Sequence, residues 1–210
     1  MKDIFPEKIP IFPLSGVIYF PKTNLPLNIF EKRYLDLVND AMKKNKLMGM
    51  VQSQRDEKDI YQIGCLGKIS DFQKSKDGRI LINLTGLTRF KILQEIENKK
   101  PYREFEVEYG DFKVDFEIAN KTFDNKINSL SFVEKTRTFF KRSGLLLNWQ
   151  EFEKLDFDQQ INTLAMIAPV TNEEKQKMLE TVTIEDKTKT LLKIIEFYLH
   201  DSSSGRDTIQ

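Results

Sequence analysis

GCLGKISDFQKSKDGRILINL, residues 64–84, is the stretch on which the fold turns. Two apolar runs, Gly64 to Phe72 and Arg79 to Leu84, flank Lys76-Asp77-Gly78. An Asp-Gly pair in that setting marks a hairpin, because the turn needs a residue at positive φ and glycine adopts it without a Cβ penalty. The segment is therefore expected to form paired strands. Working outward, Leu47 to Gln52 reads as another strand, followed by the charged loop Arg55-Asp56-Glu57-Lys58-Asp59. Thr88 to Ile96 and Arg103 to Tyr109 follow downstream, the latter alternating Phe105, Val107 and Tyr109 on one face. Near the N-terminus, Ile9 to Phe12 and Gly16 to Phe20 are apolar runs bounded by Pro10, Pro13 and Pro21. One helix interrupts the strands: from Phe30 to Lys44, the residues Tyr34, Leu35, Val38, Ala41 and Met42 recur at helical spacing.

The pattern changes near residue 115. Phe116, Phe123, Ile127, Leu130 and Val133 mark one face of a long segment that stops near Ser143-Gly144. Asn148 to Leu155 makes a shorter piece, and Ile161, Leu164, Ala165 and Ile167 another that ends at Ala168-Pro169, where proline clashes with the preceding turn. Thr171-Asn172-Glu173-Glu174 is a capping-box sequence, and Thr183 with Asp186 resembles it. A last helix then runs through Leu191, Leu192, Ile195, Tyr198 and Leu199. The expectation is an α+β chain: a β-rich lobe over 1–115, a helical lobe over 116–200, and a polar tail, 201–210, too hydrophilic to pack and so disordered.

Charge nearly cancels, with 33 Lys+Arg against 32 Asp+Glu, so no global field draws a polyanion. The short basic runs carry no interleaved aromatic residues, which also weighs against nucleic acid as a partner. Chemistry is equally sparse. A single cysteine and a single histidine supply neither a disulfide nor a usual zinc site. Gly64-Cys65-Leu66-Gly67-Lys68-Ile69 is not a phosphate loop: two residues rather than four separate the glycines, and Ile69 stands where Ser or Thr must hold the metal. Cys65 lies in an apolar strand and reads as a small buried hydrophobe, and His200 as a residue at a helix C-terminus. Asp56, Glu57 and Asp59 lack the Gly and terminal Glu of a calcium loop. No catalytic, cofactor-binding or metal-binding residue is assigned. The first residues contain no apolar leader core and no run approaches a membrane span, so a cytoplasmic, membrane-free protein is expected.

Ile9-Pro10-Ile11-Phe12-Pro13-Leu14, Val17-Ile18-Tyr19-Phe20-Pro21 and Leu25-Pro26-Leu27 are similar to the opening of the Lon protease N-terminal, substrate-binding domain. Ile29-Phe30-Glu31-Lys32-Arg33-Tyr34-Leu35 resembles the form seen in that family's short, single-domain members. Ile63 to Ile69, Asp77-Gly78, Leu84-Thr85-Gly86-Leu87-Thr88-Arg89-Phe90, Leu164-Ala165 and Lys175 to Glu180 then fall in the family's order. Each piece is weak alone; their order over nearly the whole chain makes the match specific. The sequence departs from the family at Lys22, where many members carry Gly after Phe-Pro. The resemblance implies a PUA-like pseudo-barrel with one helix, joined to a helical bundle, free-standing here without the ATPase and peptidase of full-length Lon.

The function implied is a non-catalytic module that binds unfolded or partner proteins, a protease or chaperone among them, in protein quality control. The residues expected to touch such a partner are Tyr19, Lys22, Asn24 and Leu25, in the proline-bounded loop after the second strand. The alternative is an RNA-binding module, since PUA-like folds elsewhere contact RNA; a Ser–Lys hydrolase is a distant third.

Overall fold

The structure, a computed structural model, describes residues 5–54, 59–116 and 129–204. Arg55 to Lys58 of the charged loop, Phe123 and Ile127 of the long helical face, and 205–210 of the tail lie outside the described residues. The chain divides into two compact units, Met1–Glu117 and Ile118–Gln210.

The first unit holds β1 (Lys8–Leu14), β2 (Asn24–Ile29), α1 (Lys32–Met42), β3 (Leu47–Gln52), β4 (Ile63–Lys74), β5 (Ile80–Ile96) and β6 (Glu104–Glu108), then a short 3-10 turn, Gly110–Asp115. The 64–84 hairpin forms as expected: β4 and β5 pair antiparallel, and Gly78 sits at φ 89° in the turn. The strand order is β2-β5-β4-β3-β1-β6, with β5 pairing also to β6, so five of the strands close into a ring and β2 hangs on the first half of β5. β5 is long enough to take both roles because it is bent. Bulges shift its register between Leu66 and Gly67 of β4, between Ile69 and Asp71, and at Ile92/Gln94 opposite β6. The two runs expected at Arg79 to Leu84 and Thr88 to Ile96 are thus one strand through Gly86.

Alternation along the strands sends Ile9, Ile11, Val51, Leu66, Phe90, Phe105 and Val107 into the ring, where all are buried. Phe90 fits there because two neighbouring strands carry no side chain beside it. A Cβ on Gly49 would lie 2.9 Å from the Phe90 ring, and one on Gly64 2.7 Å from it. The outward faces of β1 and β3 are buried in turn, with Phe12, Met48 and Met50 in the core and the Phe12 and Tyr34 rings edge-on at 4.3 Å. β3, buried on both faces, consequently reads as an unbroken apolar run.

The prolines do not end strands in the way expected. Pro10 and Pro13 lie inside β1, which is flanked by β3 and β6. Ile11 N–H donates to Arg103 and Val107 N–H to the Glu7 carbonyl, so odd positions of β1 face β6 and even positions face β3. Pairing to β6 covers Lys8 to Pro10, and pairing to β3 covers Ile11 to Leu14. Pro10 therefore turns its missing donor toward β3 just before that ladder begins, and Pro13 toward β6 after that ladder has ended. Each marks the end of a ladder within one continuous strand.

Gly16 to Phe20 were expected as a strand and are not one. Ile18, Tyr19 and Phe20 are buried, but as loop, and the second strand is Asn24–Ile29, which its internal Pro26 had disguised. Pro26 is tolerated because β2 is an edge. Gly86 N–H donates to Thr23, so odd positions of β2 bond to β5 and Pro26 faces outward.

The second unit is a set of helices, α2 (Ser129–Arg142), α3 (Trp149–Phe152), α4 (Phe157–Ile167), α5 (Asn172–Glu180) and α6 (Ile184–Ser204). Phe139, Phe140, Ile161, Leu164, Ala165, Met178, Leu191 and Ile195 are buried in it. The expected capping box at Thr171 and Glu174 forms, and a second, Asp156 with Gln159, opens α4. The Thr183 hydroxyl accepts from Asp186 N–H at 3.1 Å at the start of α6. Lys187 is buried and donates to Asn162 Oδ1 at 2.7 Å. Two expectations change. Phe116 follows the 3-10 turn and stacks edge-on against Phe5, centroids 5.6 Å apart, instead of joining a helical face. The helix α6 continues to Ser204, so the first four residues of the expected tail have helical backbone.

Candidate binding surface

The loop that precedes β2 is tightly built. Thr23 donates from its hydroxyl to the Phe20 carbonyl at 2.7 Å, and Lys22 N–H donates to Gly86 at 2.9 Å. A Cβ on Gly86 would meet the Phe20 carbonyl oxygen at 2.2 Å, so the two backbones approach as only glycine allows. Lys22 adopts φ 60°, the left-handed conformation that glycine takes without a Cβ penalty.

The four residues expected to form the contact patch divide between core and surface. Tyr19 is 2% exposed and Leu25 8%, so both belong to the core. Burial pushes the Tyr19 hydroxyl well above the usual phenol range, and it has no hydrogen-bond partner among the described residues. Lys22 and Asn24 are exposed. The reason is parity: Leu25 shares the inward face of β2 with Ile29, while Asn24 shares the outward face with Pro26 and Asn28.

That outward face continues across the sheet. Asn24 is opposite Thr85, Pro26 opposite Asn83 and Asn28 opposite Leu81 on β5, with Asp71 and Gln73 of β4 beyond. The Thr85 hydroxyl lies 2.8 Å from Asn24 Oδ1 and 2.9 Å from Ser70 Oγ, which donates to the Asn83 carbonyl at 3.1 Å. At the far end the polar surface gives way to Phe30, one residue past β2 and 65% exposed, and to Leu81, 42% exposed. Pro26 leaves the open edge with carbonyls at three positions and N–H groups at only two, which discourages strand addition by another copy. The result is a sheet face with an apolar end and a hydrogen-bonding rim, suited to holding another polypeptide and without a nucleophile–base pair. Sequence reasoning missed Phe30 and Leu81, since their alternation placed them with the core as readily as with the surface.

Elsewhere in this unit, Gln52 Oε1 and Ser53 Oγ are buried without a hydrogen-bond partner among the described residues. A cleft of about 50 Å³ beside α1 is lined by Lys8, Pro10, Asp40, Lys44, Tyr102 and Glu104 among others. Tyr102 donates to Asp40 at 2.9 Å and Lys43 at 3.1 Å; these bonds, Lys43's first, hold the Asp40 carboxyl below its usual range. The cleft is several times smaller than the few hundred Å³ of ordinary ligand pockets. Cys65 is buried on β4 between Met50 and Arg89. Arg89 and Asp115 form a buried ion pair at 2.7 Å, with the guanidinium over the Phe112 ring at 4.4 Å. Among the described residues no three His, Cys, Asp or Glu side chains gather as metal ligands, and no helix is long and apolar enough to cross a membrane.

The family model of the ATP-dependent protease La (LON) substrate-binding domain matches residues 8–196. Lon protease of Syntrophus aciditrophicus is 30% identical over 92% of this chain, and Lon protease of Dictyoglomus thermophilum 26% identical over 92%. The chain spans only about a quarter of these relatives, 25% and 24% of their lengths. Among solved structures, the Lon N-terminal domain protein from Xanthomonas campestris superposes with a TM-score of 0.66 at 19% identity, covering 88% of this chain and 96% of that one. The N-terminal domain of the Mycobacterium avium complex Lon protease gives 0.66 at 16% identity, covering 90% and 98%. At such identities these two structures speak for the fold alone. The matched model is that of the substrate-binding domain and not of the ATPase or peptidase.

Proposed function

Since the chain belongs to the family of LON substrate-binding domains, we propose that it is a non-catalytic protein-binding module with an adaptor or recognition role in protein quality control. The observation that carries the reading is the family match across 8–196. The outer face of β2, β5 and β4 supports it by offering exposed Phe30 and Leu81 beside the polar row Asn24, Thr85 and Ser70. An unfolded segment would lay apolar side chains on Phe30 and Leu81 and satisfy its polar groups along the rim, and Lys22 and Asn24 would contact it at the opposite end. Tyr19 and Leu25 would act from beneath, by holding β2 and its loop in place.

The test is a titration of the full chain with a fluorescently labelled protein, once permanently unfolded by reduction and alkylation of its cysteines and once native. Binding of the unfolded form alone, weakened about tenfold by Phe30→Asp or Leu81→Asp, is the expected result, a loss of about 1.4 kcal/mol. Equal affinity for both forms, or indifference to both substitutions, removes the reading. Retention of RNA at low salt that is lost at high salt would replace it with the nucleic-acid alternative.

A further inference from the structure

The sheet face proposed to receive unfolded segments carries surplus charge at one end only. Leu47 of β3, Lys68 of β4, Thr85 of β5 and Asn24 of β2 stand directly opposite one another, forming one row across four strands. Opposite residues share a face, so Lys68 projects beside the Thr85 hydroxyl that is hydrogen-bonded with Asn24 and Ser70. Two more lysines border that corner. Lys46 precedes β3, and its carbonyl accepts from Ile69 N–H at 2.8 Å, next to Lys68; Lys22 N–H donates to Gly86, next to Thr85. All three lysines are exposed, and neither Lys46 nor Lys68 has a carboxylate partner among the described residues. They come from three segments that only the pairing of the strands brings together.

The other end is apolar and neutral. Leu81 is four positions from Thr85 along β5, about 13 Å of strand, and Phe30 is six from Asn24 along the β2 direction, about 20 Å. Charges at that end cancel in pairs: Arg33 holds Glu31 at 2.8 Å, and Arg79 holds Asp77 at 3.1 Å. Between the two ends, Asp71 accepts from the Phe72 N–H through one carboxylate oxygen at 2.8 Å.

We infer that this face selects extended segments that carry a large apolar side chain and, four or six residues away, a carboxylate. The inference rests on the unfolded-segment reading above and adds a charge requirement to it. In an extended chain, side chains four or six positions apart point the same way, so both turn toward the sheet at once. The apolar group covers Leu81 and Phe30 while the carboxylate reaches Lys68, with Lys46 and Lys22 adding to the field that draws it. A nucleic-acid strand fits less well. Its phosphates call for cations along the whole track, and here they stand at one end with the exposed aromatic ring, Phe30, at the other.

The experiment titrates the full chain with short synthetic peptides of Gly and Ser, followed by NMR chemical shifts. One peptide carries Phe and Leu two positions apart with Glu four positions beyond the Leu. A second places the Glu directly beside the Leu, and a third has Lys in place of Glu; each is made in both sequence orders. The spaced Glu peptide is expected to bind about threefold tighter than either of the others at low salt, an advantage that fades at high salt, as for a partly exposed ion pair. Lys68→Glu is expected to reverse the preference in favour of the Lys peptide, whereas Lys193→Glu, an exposed site in the helical unit, leaves it as it was. Melting temperatures of both variants check that folding is intact. Equal binding of the Glu and Lys peptides, or a preference that ignores Lys68→Glu, overturns the charge requirement and leaves the face standing if Phe30→Asp still weakens every peptide. Indifference to both Phe30→Asp and Leu81→Asp removes the face itself and the inference with it. Displacement of the Glu peptide by a single-stranded oligonucleotide would assign the lysines to phosphate and likewise overturn it.

Discussion

Replacing Asp115 by Asn removes one charge from the most deeply buried ion pair described in the first unit. The Arg89 side chain is 2% exposed and that of Asp115 7%. One carboxylate accepts from Arg89 Nε at 2.9 Å, from Nη2 at 2.7 Å and from the Arg89 backbone N–H at 2.9 Å. An isosteric amide keeps the shape and one acceptor oxygen, and it leaves a guanidinium buried without its counter-charge. Breaking a buried pair from one side costs about 3–5 kcal/mol, against a total domain stability of about 5–15 kcal/mol. With a urea slope of about 2 kcal/mol/M, the midpoint for this unit should fall by about 1.5–2.5 M. The chain carries its own reporters. The single cysteine, Cys65, is buried on β4, so thiol labelling follows the β-rich unit, and the single tryptophan, Trp149, follows the helical unit by fluorescence. Asp115→Asn should shift the Cys65 transition while leaving that of Trp149 in place. Arg89→Met with Asp115→Leu should recover more than half of the loss, because much of the cost is the unpaired charge and not lost attraction; the Arg89 N–H, left without its acceptor, keeps recovery incomplete. A midpoint shift below about 0.5 M, or a double variant no better than the single one, would refute this account of the pair.

Other expectations concern backbone, packing and pH. Lys22→Gly should raise stability by about 1 kcal/mol in thermal unfolding, because Lys22 holds φ 60° and glycine does so without strain, whereas Lys22→Val should lower it. Gly49→Ala puts a Cβ 2.5 Å from Ile11 Cδ1, so Gly49→Ala with Ile11→Val should be more stable in urea than Gly49→Ala alone. Gly64→Ala, whose Cβ would lie 2.4 Å from the Met50 carbonyl oxygen, should admit no such rescue by trimming Phe90. Tyr102→Phe should raise the Asp40 pKa in a carboxyl-detected NMR titration, since the Tyr102 hydrogen bond is the second-largest influence lowering it after that of Lys43. Because the folded Asp40 pKa is depressed, its contribution to stability is present above the unfolded value and lost as pH falls through the folded one. The variant should therefore lose that contribution at a higher pH than the parent.

Local chemistry determined much of this protein from sequence alone. The Asp77-Gly78 turn, the strand at Leu47–Gln52, the helix around Tyr34 to Met42 and the Thr171 capping box each depend on a few adjacent residues, and each forms where its residue pattern lies. The order of proline, glycine and apolar positions likewise carried the family, which the match over 8–196 shows. Tertiary structure decided the rest. Period-two alternation says which side chains share a face, but not which strand lies beside which, so neither the β5–β6 closure nor the parallel β1–β3 pair was legible. Pro26 argued against a strand until an open edge gave its missing donor somewhere to point. Tyr19 and Leu25 were expected in a surface loop and are core, while Phe30 and Leu81, which alternation placed with the core as readily as with the surface, are exposed. Burial belongs to whatever covers a side chain, and that cover comes from residues distant in the chain.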